Sequence, residues 1–149
     1  LGVIEIPEGP VKIINILKKD RSRDSGPQWW VVLGIPDEQL ASSSQTVKIK
    51  TVRKKKFPIF GGIVDVIWRG NDGGTNLVNT LSEDIPTKNL AKRIGNLEIK
   101  SQSQAWTLTV FLGQRGLFSN RPFTLTEQDW ETVEKIADYI LSSPRSLRV

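Results

Sequence analysis

Along the first two-thirds of the chain, apolar residues come in short runs or in alternation, the signature of strands. Val3 to Ile6 reads as a short strand closed by the turn cluster Pro7-Glu8-Gly9-Pro10. Val11 to Leu17 is rich in Ile and Val, as a mostly buried strand is. After a polar loop from Asp20 to Pro27, Gln28 to Gly34 is apolar on both faces. Such a run is expected in the middle of a sheet covered on both sides. Pro36 to Ser44 reads as a loop with a helical turn. From Thr46 to Arg53 the pattern alternates cleanly: Val47, Ile49 and Thr51 on one face, Lys48, Lys50 and Lys54 on the other. Gly62 to Trp68 is the next strand, and Gly70 to Gly74 is a turn. Leu97 to Lys100 and Trp106 to Leu112 form two more strands, with the polar stretch Ser101 to Gln104 as a hairpin loop.

Helical periodicity appears later. Leu77 to Leu81 suits a single turn. A short helix near 85–94 has Asp84 as its cap, Leu90, Ala91 and Ile94 on its inner face, and Gly95 as its stop. The C-terminal amphipathic helix, 125–142, carries the stripe Trp130, Val133, Ala137, Ile140 and Leu141. Its wet side is Glu127, Glu131, Glu134 and Asp138, and Pro144 ends it. Thr124 and Glu127 have the spacing of a capping box. The pattern therefore predicts a single α+β domain over residues 1–149, with loose ends near 1–2 and 143–149. It has about six or seven mostly antiparallel strands, as a sheet or partly open barrel.

Composition adds exclusions. The 149 residues contain no Cys, His or Met. Disulfides, thiolate nucleophiles, zinc sites of the usual kind and the standard Ser or Cys triads are all ruled out. An enzyme would have to rely on carboxylates, Lys, Tyr or an oxygen-ligated metal, so a non-catalytic binding or interaction domain is the expectation, with no cofactor and no metal. A chain this long buries roughly two-thirds of its unfolded surface without staples. The longest apolar run, Trp29 to Ile35, is far short of the ~20 residues that span a bilayer. A cytoplasmic location is the default. A soluble fragment of a longer or membrane-associated protein also fits a chain opening at Leu1.

Charge is the most informative feature. The formal net charge is +5, from 21 basic and 16 acidic residues. Between Val47 and Lys56 lie Lys48, Lys50, Arg53, Lys54, Lys55 and Lys56, with no acidic residue among them. The excess is thus local, the electrostatic footprint of a polyanion site. Its lysines lead into Phe57 and Phe60, which are candidates for apolar contact. The ridge from 48 to 60 is therefore expected to meet an anionic partner, a lipid headgroup or nucleic acid. The bland alternative is an exposed strand whose lysines only discourage aggregation, with both Phe in the core. A protein partner then becomes the leading idea.

A second basic group, Lys18, Lys19, Arg21 and Arg23, is diluted by Asp20 and Asp24. With Val11 to Leu17 as first strand and Gln28 to Leu33 as second, the basic loops and the Trp-bearing last helix fall in an order that resembles pleckstrin-homology domains. The resemblance implies a barrel closed by the C-terminal helix, with a phosphoinositide headgroup held between the two basic loops. It is limited to element order. An extra strand precedes it, one strand is missing later, and a helical insertion occupies 75–95.

Other candidates have simpler explanations. Asp65, Asp72, Glu83 and Asp84 offer hard oxygen ligands for a metal-dependent enzyme built around Asp65, Asp72 and Asp84. Yet Asp72 suits a turn and Asp84 a cap. Asp65, between Ile63 and Ile67, is expected to be buried and to need an Arg or amide partner. Gly61-Gly62 and Gly73-Gly74 match no nucleotide fingerprint. Arg115, Gly116 and Arg121 precede the last helix, whose first turn is already negatively charged. Trp106 and Trp130 occupy core-periodic positions, and neighbouring Trp29 and Trp30 must face opposite ways. A purely structural domain of a larger protein is the third reading. It predicts an exposed apolar patch away from the ridge.

Overall fold

The computed structural model describes residues 2–20, 22–24, 26–38, 40, 46–56, 62–114 and 125–143. Seven strands are present: β1 (Val3–Glu5), β2 (Ile13–Lys19), β3 (Gln28–Pro36), β4 (Lys48–Lys55), β5 (Ile63–Asn71), β6 (Asn96–Gln102) and β7 (Ala105–Gln114). Three helices accompany them: α1 (Leu77–Glu83), α2 (Ile85–Ile94) and α3 (Glu127–Leu141). Every neighbouring strand pair is antiparallel, in the order β1-β2-β3-β7-β6-β4-β5.

This is the α+β architecture expected from the pattern, realised as one open sheet. A barrel would require its edge strands to pair. Here β1 and β5 lie at opposite edges with five strands between them, so the pleckstrin-homology-like barrel does not form. No helix among the described residues is long and apolar enough to cross a membrane.

The core lies between one face of the sheet and the three helices. Val47, Ile49, Leu97, Ile99, Trp106, Leu108, Val66 and Trp68 are all buried on that face. They pack in one cluster with Leu77 and Leu81 of α1, Leu90, Ala91 and Ile94 of α2, and Val133, Ile136 and Ile140 of α3. Period-two alternation makes this possible: from Val47 along β4, Val47, Ile49 and Thr51 point inward while Lys48, Lys50 and Lys54 are exposed. On β3 the expectation of two covered faces fails. All three helices pack on one side, and on the other Trp30 and Val32 are only half-buried. What Trp30 gains there is a neighbour rather than a layer, since its ring lies 5.4 Å from that of Phe111, tilted by 41°.

Helix α2 begins and ends as its sequence predicts. The Asp84 carboxylate accepts from the Thr87 amide at 3.0 Å, and Gly95 follows the last turn. Gly95 has φ 145°, and a Cβ there would lie 2.0 Å from the Phe111 carbonyl oxygen, so only glycine lets β6 leave the helix so close to β7. For α3 the predicted cap is two residues early. Thr126 accepts from the Asp129 amide at 3.2 Å, and Asp129 accepts from the Thr126 amide at 2.8 Å. The capping box uses Asp at its third helical position, leaving Glu127 as the first helical residue. Thr124 lies outside the described residues, as do Leu1, Pro144 and the rest of 144–149. On the stripe itself Val133, Ala137 and Ile140 are buried, Trp130 is half-buried, and Ile136 joins them.

Candidate functional site

The feature that shapes the open face is an interrupted pairing between β4 and β6. Lys48, Ile49 and Lys50 pair with Lys100, Ile99 and Glu98, and there the ladder stops. One residue further on, the Thr51 side chain takes over: its hydroxyl oxygen accepts from the Leu97 amide at 2.9 Å. Beyond this point β4 separates from β6 and a groove of about 640 Å³ opens. Trp30, Phe111, Asn96 and Glu98 line one side, and Lys50 and Lys55 the other. Its size falls within the ~300–1,000 Å³ of ligand pockets.

Cross-strand register explains why these residues meet. Leu17 pairs with Trp30, Trp30 with Phe111, and Phe111 with Asn96, making one row across β2, β3, β7 and β6. The neighbouring row runs Asn15, Val32, Thr109, Glu98, Lys50 and Arg69. Glu98 is held by Lys100 at 3.0 Å.

The predicted basic residues divide into three groups. Lys48, Lys50, Lys54, Lys55 and Lys56 are exposed, without an ion-pair partner among the described residues. A register shift between Lys54 and Lys55 turns Lys55 towards the groove. Arg53 both lines the groove and braces the fold. It lies on the helix-covered face, where its guanidinium donates to the Ala91 carbonyl at 2.7 Å, in the last turn of α2. It satisfies one of the carbonyls a helix end leaves open. The third group lies on and after β2. Lys18 is 3.1 Å from Asp20 and 5.4 Å from the Trp29 ring centre, while Lys19 and Arg23 are exposed. Strands β2 and β4 run in the same direction, so both basic groups sit at one end of the sheet. Three strand spacings and the wider gap where β4 leaves β6 separate them, more than about 19 Å in all. Arg21, Phe57, Phe60, Arg115, Gly116 and Arg121 lie outside the described residues.

The carboxylates are engaged locally. Asp65 is not buried: its side chain is 38% exposed on edge strand β5, and its partner is Lys88 at 3.1 Å rather than an arginine. That bond, with the Val66 amide, lowers its pKa. Asp72 ties the turn before α1, accepting from the Gly74 and Val78 amides. Asp84 is 7% exposed. Burial opposes its ionisation, but Lys135, Thr87 and Tyr139 outweigh that and hold its pKa at about 2. Among the described residues no group of three or more acidic side chains is placed to share a cation.

Trp30 and Phe111 are the site residues that charge and motif did not single out. The signal was present in the phase. With Trp106, Leu108 and Val110 inward, Phe111 must face outward, and one of Trp29 and Trp30 must share its side.

No family model matches the chain, and no curated protein or solved structure matches it either.

Proposed function

We propose that this chain is a non-catalytic binding module whose open sheet face receives an anionic partner. One observation carries the reading. Lys48, Lys50 and Lys55 stand exposed and without an ion pair among the described residues on the strand that lines a groove, with Lys54 beside them across from Asp65. Asp65, Asp84 and Asp129, nearer the helices, are by contrast each in a salt bridge with a cation. Unpaired like charges gathered on one ridge attract polyanions at long range and weaken steeply with salt. The ligand classes that fit are a lipid headgroup and a nucleic acid.

The test is retention on heparin and on vesicles rich in phosphatidylserine, at low and at physiological salt. Binding is expected at low salt, with partial survival at physiological salt and loss in the Lys54→Ser/Lys55→Ser/Lys56→Ser variant. A triple variant that stays folded and binds as well as the parent overturns the reading.

A second reading, docking of a protein partner within a larger assembly, has one observation in its favour. Val3, Ile13 and Leu17 are 62%, 44% and 45% exposed along β1 and β2, at the sheet edge away from the ridge. Absence of polyanion binding would favour it.

A further inference from the structure

Resting on that reading, we propose that the groove is a binding site for single-stranded nucleic acid, with Trp30 and Phe111 stacking on bases and Lys50 and Lys55 meeting phosphates. Four observations lead there.

The aromatics are recessed. Trp30 and Phe111 are half-buried and line a concavity, so neither projects as a membrane-inserting side chain must. A flat base can enter the same space, and base–aromatic stacking is worth ~1–3 kcal/mol per base.

Cationic and aromatic groups are also apposed in the right order. Trp30, Phe111 and Asn96 form a continuous cross-strand row, and Lys50 and Lys55 stand on the facing wall where β4 diverges. Lys19, on β2 two residues beyond Leu17, the partner of Trp30, adds positive charge beside the outer end of that row. A chain crossing the sheet along this row keeps its bases on the aromatics and its phosphates near ammonium groups.

Glu98 then decides which part of the ligand lies on the aromatic side. Its carboxylate, fixed by Lys100, lines that side with Trp30 and Phe111 and repels phosphate. Bases, not backbone, are left to occupy it, where Glu98 and Asn96 offer hydrogen-bonding groups to base edges.

Lastly, stacking on Trp30 and Phe111 needs the face of a base, and a duplex shows only edges in its grooves. The site therefore selects single strands.

The experiment is fluorescence anisotropy with labelled oligo-U, oligo-dT and a duplex of equal length, alongside heparin and phosphatidylserine vesicles. Single strands are expected to bind at least about tenfold more tightly than the duplex, with quenching of Trp fluorescence. Trp30→Leu keeps apolar bulk but removes the stacking surface and is expected to weaken single-strand binding by about tenfold, as is Phe111→Leu. Circular dichroism and thermal melting check that both variants fold. Lys50→Ser/Lys55→Ser is expected to reduce the slope of log affinity against log salt by about one to two. Equal or tighter binding of duplex, or folded Trp30→Leu and Phe111→Leu variants with parental affinity, overturns the inference. Binding to heparin or vesicles without single-strand binding overturns it while leaving the anionic-partner reading intact. No binding to any polyanion overturns both.

Discussion

The Thr51 hydroxyl lies 2.9 Å from the Leu97 amide nitrogen, at the place where β4 and β6 cease to exchange backbone hydrogen bonds. Thr51 is 5% exposed and Leu97 1%, so that amide has no water to fall back on. A side chain thus completes the accounting that the ladder leaves open. Thr51→Val keeps the shape and removes the acceptor. It is expected to cost about 1–3 kcal/mol in urea denaturation, because a buried donor is left unpaired. Thr51→Ser, which keeps the hydroxyl, is expected to lose less.

Arg53 and Lys54 are adjacent in sequence and opposite in role. Arg53→Ala is expected to destabilise the fold by about 1–2 kcal/mol through loss of the Ala91 carbonyl contact and its packed stem. Lys54→Ala, at an exposed position, is expected to change stability by less than about 0.5 kcal/mol. Thermal melts of the two variants check the division. Equal effects would remove the distinction between a cation that braces the fold and one that does not.

That contrast shows how far the sequence was legible. Alternation along β4 placed Val47, Ile49 and Thr51 inward and the lysines outward, because a half-buried strand writes its face directly into its period. Capping chemistry placed α2 to the residue. The α3 cap came two residues late, because Thr124 and Thr126 each precede an acidic residue at capping-box distance, and local pattern alone does not choose between them. Arg53 lies on the helix-covered face by its period, yet its side chain also lines the groove beside Lys50 and Lys55. The groove was not legible as a site, since it arises where β4 leaves β6, a fact of pairing between distant segments. Asp65 departs from its pattern for a related reason. Two apolar neighbours suggest burial, but on an edge strand a side chain can turn to solvent and to Lys88.

Asp84 gives the fold an acid limit. Its pKa is lowered from 3.8 to about 2, so the ionised form favours the folded state. That contribution is present above about pH 4 and fades as pH falls towards 2, amounting to about 2 kcal/mol. Asp84→Asn is expected to be destabilised by a similar amount at pH 7 and to show a flatter stability profile between pH 4 and 2. Urea denaturation across that range checks it, and parallel profiles for the two proteins would contradict the assignment.

Trp106 is fully buried, and its indole N–H donates to Asp37 at 3.0 Å. Trp106→Phe removes that donor and leaves a gap, with an expected loss of about 2–4 kcal/mol. Trp106→Phe with Asp37→Ala is expected to lose less than the sum of the two single variants, as a double-mutant cycle would measure.

Gly95→Ala is expected to be more damaging than its single methyl suggests. The backbone there is in a region that side chains rarely adopt, and the new Cβ meets the Phe111 carbonyl. A loss of at least about 2 kcal/mol is expected in thermal or chemical unfolding, since either α2 or β7 must shift.

The pairing of β3 with β7 at the centre of the sheet also bears on how the chain reaches this state. Val31 lies beside Val110 and Leu33 beside Leu108, so the middle of the sheet joins segments from opposite ends of the chain. Closing so long a loop costs entropy before any contact repays it. During synthesis, β1 to β3 must wait with an unsatisfied strand edge until almost the whole domain has emerged. Folding is thus expected to be slow for this length, and the waiting edge is where chaperone engagement or premature self-association would begin.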